Sequence, residues 1–119
     1  MKRSNLILFA IFIVMFAITG CKKSETFGNP IMTKSVTKIG EILANPAAYE
    51  GKTVRVEGEI VDECPGGHWC DIKDETGMIY VEFSGFTLPQ KVRAKVAIEG
   101  TVMTREAKTM LHGMGVEAK

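Results

Sequence analysis

Two long runs of alternating side chains, each broken by a glycine, constrain this chain more than any other feature. In "KTVRVEGEIVD", residues 52–62, Val54, Val56, Gly58 and Ile60 alternate with Arg55, Glu57 and Glu59. In "VRAKVAIEGTVM", residues 92–103, Val92, Ala94, Val96, Ile98 and Val102 take the inward positions and Gly100 interrupts them. A period of two is that of a half-buried strand. A glycine inside such a run marks a bulge or sharp bend, the device by which a strand turns a barrel corner.

Three more segments share the period. They are "HWCDIKD" (68–74), "MIYVEF" (78–83) and "TMLHGMGVEA" (109–118), the last weakened by Gly113 and Gly115. In the second of these, Ile79, Val81 and Phe83 face one way and Met78, Tyr80 and Glu82 the other. "ETG" and "TREAK" are the turns, and "SGFTLPQK" is a connection. Ahead of the strands, Ile39, Ile42 and Leu43 fall on one helical face, with Thr37 as the expected N-cap. Asn45-Pro46 ends that helix and starts a second short turn, Pro46 to Glu50, stopped by Gly51. The pattern predicts an all-β domain, a five-stranded closed barrel behind a short N-terminal helix. A flat sheet of five strands would need its open edges guarded.

"IGEILANPAAYEGKTVRVEGEIVD", the "WCDIKDETGMIYVEF" hairpin and "VAIEGTV" together resemble the OB-fold. The resemblance runs from about Ile39 to Glu117 and is nearest to exported bacterial OB-fold lipoproteins of the tRNA-anti-like family, which carry a Cys- and Trp-containing first hairpin. One departure is visible. OB-folds often place a helix between their third and fourth strands, and residues 84–91, interrupted by Pro89, are too short for more than about one turn. The N-terminal helix is expected to cover that barrel end instead.

The N-terminus reads as a leader. Lys2 and Arg3 precede a thirteen-residue uncharged stretch, Leu6 to Ile18. That is short of the roughly twenty residues a spanning helix needs and suits a signal peptide. Ile18-Thr19-Gly20-Cys21 resembles the lipobox of bacterial lipoproteins. The resemblance implies a signal peptide over 1–20, cleavage before Cys21, and diacylglycerol with a palmitate-class acyl group on Cys21. Lys22 after that cysteine implies the outer membrane in a Gram-negative host. Residues 21–35 are polar with Gly and Pro and read as a lipidated flexible tether, and 36–119 as the domain.

Charge disfavours one class of partner and leaves single-stranded nucleic acid binding as a second alternative, after a soft-metal protein. Removing the leader takes two of the fifteen basic residues and none of the fourteen acidic ones, so the remainder is slightly acidic. Nucleic-acid binders carry a basic excess or patch. The only basic cluster is Arg93, Lys95, Arg105 and Lys108, on the fourth strand and its loop.

"DECPGGHWCD", residues 62–71, joins the first two barrel strands and admits four readings. The first is a structural disulfide between Cys64 and Cys70, brought face to face by the Pro65-Gly66-Gly67 reversal. The second is a zinc or copper site built from Cys64, His68 and Cys70, with His112 as a fourth ligand and Met110 and Met114 flanking it. The third is a redox pair, disfavoured by the spacing and by Asp62, Glu63 and Asp71, which would raise the thiol pKa. The fourth is two unpaired cysteines acting as buried apolar groups.

The outward face of the second and third strands displays Trp69, Asp71, Lys73, Met78, Tyr80 and Glu82. Trp69, Lys73 and Tyr80 are the ligand-face candidates. The two carboxylates would repel phosphates, so nucleic acid is not the expected partner. No nucleophile–base arrangement, phosphate loop or helix-borne histidine pair marks an enzyme, and no cofactor is expected unless the cysteine hairpin holds a soft metal. The expected protein is a binding module held at the membrane by lipid, with an envelope protein or an oligosaccharide as partner.

Overall fold

The structure, a computed structural model, describes residues 24–89 and 91–119. The leader and Cys21 lie outside the described residues. The elements are β1 (Glu25–Gly28), α1 (Ile39–Ala44), α2 (Pro46–Tyr49), β2 (Thr53–Glu63), β3 (Trp69–Asp74), β4 (Gly77–Phe83), β5 (Lys95–Arg105) and β6 (Lys108–Ala118).

β2, β3, β4, β6 and β5 close into the five-stranded barrel that the alternation predicts. All its ladders are antiparallel except β4–β6, where Tyr80 to Phe83 run parallel to Met110 to Gly113. β2 is long enough to serve two neighbours. Its first part, Thr53 to Glu59, pairs with β5, and its last part, Glu59 to Glu63, with β3. Gly58 sits at the pivot, where a Cβ would lie 2.1 Å from the Lys73 carbonyl oxygen. The Gly100 irregularity is also present, as a register shift between Glu99 and Gly100.

Inward positions hold Val54, Val56, Ile60, Cys70, Ile72, Ile79, Val81, Val96, Ile98, Val102, Leu111 and Val116, all buried. Ile39 and Ile42 of α1 and Leu88 of the β4–β5 connection belong to the same core. Branched side chains dominate, as suits a pleated inner wall. The expected covering helix is therefore in place. Its cap differs from the expectation. Thr37 does not cap α1; the N-cap is Lys38, which makes no side-chain cap bond. Instead the β3–β4 turn caps the helix from outside: the Ile39 N–H donates to Asp74 at 2.9 Å and the Gly40 N–H to Thr76 at 2.7 Å.

The segment read as a tether is bound to the barrel from Glu25 onward. β1 pairs antiparallel with β6, Glu25 opposite Ala118 through Gly28 opposite Gly115. The chain then crosses the outside of the barrel along one cross-strand row, Gly115, Glu99 and Arg55. Each residue of that row holds the strap differently. Asn29 packs so closely on Gly115 that a Cβ there would meet its carbonyl oxygen at 2.1 Å. Glu99 accepts the Met32 and Thr33 N–H groups at 3.0 and 2.6 Å. The Arg55 guanidinium donates to the Thr33 carbonyl at 3.3 Å, and its own carbonyl accepts the Thr37 N–H at 2.8 Å. Alternating polar residues hid this row, because nothing local to residues 29–37 shows that a buried carboxylate awaits their N–H groups.

β5 also begins later than its sequence predicts. Residues 91–94 form a tight turn closed by the Ala94 N–H to the Lys91 carbonyl, 2.8 Å, with Arg93 at φ 74° in its third position. Val92, expected inward, is exposed. At the far end of β5, the turn to β6 is only two residues long: Glu106 (φ 51°) and Ala107 (φ 63°) between the paired Arg105 and Lys108. Two consecutive left-handed residues are what a two-residue hairpin of this hand requires, and neither is a residue that adopts them easily.

Two outcomes follow. Burial pushes the Glu99 carboxyl up, but its hydrogen bonds from Thr33 and Met32, with Arg55 beside it, hold it below the usual glutamate range. A carboxyl depressed on folding stabilises the fold above its unfolded pKa, about 4.3, and that stabilisation is lost as pH falls through the folded value. Denaturant unfolding should show Glu99→Ala less stable by about 2–3 kcal/mol at pH 7. The gap between wild type and Glu99→Gln should shrink below about pH 4; an equal gap at pH 7 and pH 3 would refute the anchoring role. Replacing Glu106-Ala107 by Asn-Gly should raise stability by about 1 kcal/mol, read as a higher denaturant midpoint at unchanged slope.

Candidate binding face

The register fixes what faces outward. Asp62, Asp71, Tyr80, Met110 and Met103 form one cross-strand row, and Trp69, Glu82, His112 and Thr101 the next. Trp69 and Tyr80 lie diagonally across β3 and β4, with ring centroids 5.6 Å apart and planes tilted by 36°. Both are half-buried.

The β5–β6 hairpin leans onto this pair. Lys108 Nζ sits 4.6 Å from the Tyr80 ring centroid, and Arg105 Nη1 reaches Glu82 Oε2 at 3.1 Å. A cleft of about 320 Å³ results, lined by Tyr80, Glu82, Arg105, Glu106, Lys108 and Met110. Its groups perturb one another. Burial raises the Asp71 carboxyl, Asp62 raises it further, and Lys108 opposes them. The Tyr80 hydroxyl is raised by burial and by Glu82. The cleft thus offers the Tyr80 ring, the carboxylates of Glu82 and Glu106 and the Arg105 guanidinium, with the Trp69 ring adjoining it beside Tyr80.

The sequence-predicted residues divide. Trp69 and Tyr80 are together. Lys73 is outward too, but it pairs with Met78 and lies four residues along β3 from Trp69, about 13 Å. It lines a separate, larger groove of about 540 Å³ with Lys38, Lys95, Lys119, Glu57, Glu59, Asp74 and Glu75. That groove has no aromatic wall, and ion pairs Lys38–Glu75 and Lys119–Glu57 already match much of its charge. The single basic cluster of the sequence is likewise split: Arg105 and Lys108 border the aromatic cleft, while Arg93 and Lys95 stand at the start of β5.

The hairpin cysteines are two free thiols, Cys64 half-buried and Cys70 in the core. The expected bridge fails on register. A shift between Ile60 and Asp62 sets Cys70 opposite Glu63, so Cys64 falls one position past the pair, where its N–H donates to the Trp69 carbonyl at 3.1 Å. One residue of offset turns a side chain to the other face. Cys70 therefore points into the barrel, and Cys64 shares the outer face with Trp69 and Tyr80. Burial, with Glu63 and Asp71, pushes the Cys70 thiol up to about 12, far from a nucleophile or a metal-binding thiolate.

The zinc or copper set is dispersed by the same register. Cys64 follows the end of β2 and His112 lies on β6, with β3 and β4 between them. His68 is exposed in the loop. Its carbonyl accepts the Phe83 N–H at 2.8 Å. Ligand bonds of about 2.0–2.3 Å cannot span such a set. Among the described residues, no three His, Cys, Asp or Glu side chains gather closely enough to hold a metal.

No family model and no curated protein matches the sequence. Solved structures do match. The chain is similar to the hypothetical protein ygiW from E. coli, at 20% identity and a TM-score of 0.56, over 78% of this chain and 97% of that one. It is also similar to part of a putative aspartyl-tRNA synthetase from Leishmania major Friedlin, at 12% identity and a TM-score of 0.58. That match covers 92% of this chain but 25% of the synthetase. The barrel is OB-fold-like. At these identities the likeness concerns the fold. In OB-folds generally, ligands use the second and third barrel strands with the loops after the first and fourth. Here those are β3, β4, the Cys64–His68 loop and the Glu106–Ala107 turn.

Arg105 and Lys108 are the site residues that the linear pattern did not assign to this face. Their signal exists only as basic residues bracketing a two-residue turn. Thiol chemistry tests the register directly. Iodoacetamide at about pH 8 should alkylate Cys64 in the native protein and reach Cys70 only after denaturation. Equal native reactivity of both, or protection of both under oxidising conditions, would contradict the opposed orientation.

Proposed function

We propose that the chain is a lipid-anchored binding module of the bacterial cell envelope, akin to the tRNA-anti-like OB-fold lipoproteins, with the Trp69–Tyr80 face as its contact surface. The carrying observation is that aromatic pair, held outward at 5.6 Å beside a charged cleft in the usual ligand position of the fold. The favoured ligand is an oligosaccharide. A sugar ring lays an apolar C–H face on an aromatic ring, and its hydroxyls pair with carboxylates and guanidinium. Asp71, Glu82 and Arg105 stand at the rim for that purpose. Phosphates would meet Asp62, Asp71 and Glu82 on the same rows, which disfavours a nucleic-acid strand. The anchor is Cys21, acylated after cleavage of the leader, and two or more acyl chains give the stable attachment that one does not.

Trp69 is the only tryptophan, so intrinsic emission reports on the face itself. Titration with β-1,4-linked N-acetylglucosamine oligomers should change that emission saturably. Tyr80→Ala should weaken binding by about tenfold, or about 1.4 kcal/mol, while moving Tm by no more than about 3 °C. No saturable change with any oligomer length removes the sugar reading. A salt-sensitive response to a single-stranded oligonucleotide would replace it. Mass analysis of the mature N-terminus tests the anchor separately: an acyl mass on Cys21 is expected, and an intact leader overturns it.

A further inference from the structure

A second cleft, of about 430 Å³, borders the aromatic one, and Gly28, Asn29, Ser84, Phe86, His112 and Met114 line most of it. The two clefts share a floor. β4 and β6 run parallel there, with Tyr80 opposite Met110 and Glu82 opposite His112. Tyr80 and Glu82 follow one another on one side of β4, and Ser84, just past its end, continues the series. Met110, His112 and Met114 follow one another in the same way along β6. Tyr80, Glu82 and Met110 line the first cleft; Ser84, His112 and Met114 line the second. The Glu82–His112 pair is the boundary, with one member in each. From Tyr80 to Ser84 the floor runs about 13 Å.

The two ends differ in chemistry. At the first, the β5–β6 turn supplies Arg105, Glu106 and Lys108. At the second, none of the described lining residues is Asp, Glu, Lys or Arg. Its walls are the strap and Phe86. The Asn29 N–H donates to the Met114 carbonyl at 2.8 Å, which holds the strap on β6. Gly28, at φ 70°, lies so close to Phe86 that a Cβ would come within 2.6 Å of the ring. Phe86 also packs on Phe83, with centroids 5.1 Å apart, so its half-buried ring is fixed from both sides. His112, Asn29 and Ser84 bring an imidazole, a carboxamide and a hydroxyl, groups that pair with hydroxyls as donors or acceptors.

We propose, on the sugar reading of the Trp69–Tyr80 face, that the two clefts form one trough for a linear oligosaccharide. The second cleft is a subsite for the sugar rings beyond the one on Tyr80. A neutral, hydroxyl-rich chain suits it: an apolar ring face meets Phe86, and hydroxyls meet His112, Asn29 and Ser84. A single-stranded nucleic acid of the same length would find no cation there for its phosphates. A short sugar fills the charged end alone, and a longer one gains the neutral end as well. The strap thereby supplies a binding residue, Asn29, which reaches the trough because β6 and Glu99 hold that segment against the barrel.

The test is a length series. The full chain is titrated calorimetrically with β-1,4-linked N-acetylglucosamine oligomers from the dimer to the hexamer. Affinity should rise by about tenfold along the series, the gain of two or three added hydrogen bonds. Asn29→Ala with His112→Ala should remove that rise, so that dimer and hexamer bind alike, with Tm within about 3 °C of wild type. Ser84→Leu, a change at an exposed position that fills the second cleft, should remove it too and serves where the double variant does not fold. Equal affinity for dimer and hexamer in the wild type overturns the second subsite and leaves the aromatic face standing. A rise that persists in the variants also overturns it, because the gain then comes from the number of ways a longer chain can bind one cleft. Binding of no oligomer at any length overturns both the trough and the sugar reading beneath it.

Discussion

The short parallel ladder between β4 and β6 is what the rest of this structure depends on. Four residues, Tyr80 to Phe83 against Met110 to Gly113, turn a meander of strands into a cylinder. Without it, β6 would be joined to the other barrel strands through β5 alone, and β4 would present a long unpaired edge. Closure also fixes inside and outside. Val81 and Leu111 meet in the core, and Tyr80 and Met110 meet on the opposite face of the wall, where Met110 is itself covered. β6 then has edge to spare, and β1 occupies it at Gly115 to Ala118. The same strand thus closes the barrel and receives the chain that leads to the proposed anchor.

Short elements here are held by distant ones. α1 is too short to be stable alone. It survives because Ile39 and Ile42 are buried and because Asp74 and Thr76, more than thirty residues on, cap its first N–H groups. The strap before it is held by Glu99 in the same way. In both cases a carboxylate replaces the water that exposed N–H groups would otherwise need. The stabilisation is charge-assisted and so stronger than a neutral hydrogen bond.

Much of the fold was legible because a period of two needs no knowledge of the rest of the chain. The strands and their inward residues, Val92 excepted, follow from it, as does the outward pairing of Trp69 with Tyr80. Reading failed where the answer depended on a one-residue shift. The irregularity between Ile60 and Asp62 moved Cys70 opposite Glu63 and sent the two thiols to opposite faces. The only local sign is Val61, an apolar residue in the phase of Arg55, Glu57 and Glu59, where the alternation lapses without fixing the new register. Polar segments misled for a related reason. Residues 25–35 look like linker, yet N–H groups among them are met by Glu99 and by β6.

The sequence by itself determined a small all-β barrel, its lining and its outward aromatic face, because alternation is a local property of the chain. Only the tertiary structure decided which residues share that face. Arg105 and Lys108 reach Tyr80 and Glu82 because the barrel closes, and Lys73 is left in another groove because four residues of strand intervene. Contacts between distant segments are set by register and closure, and neither is written in any one stretch of residues.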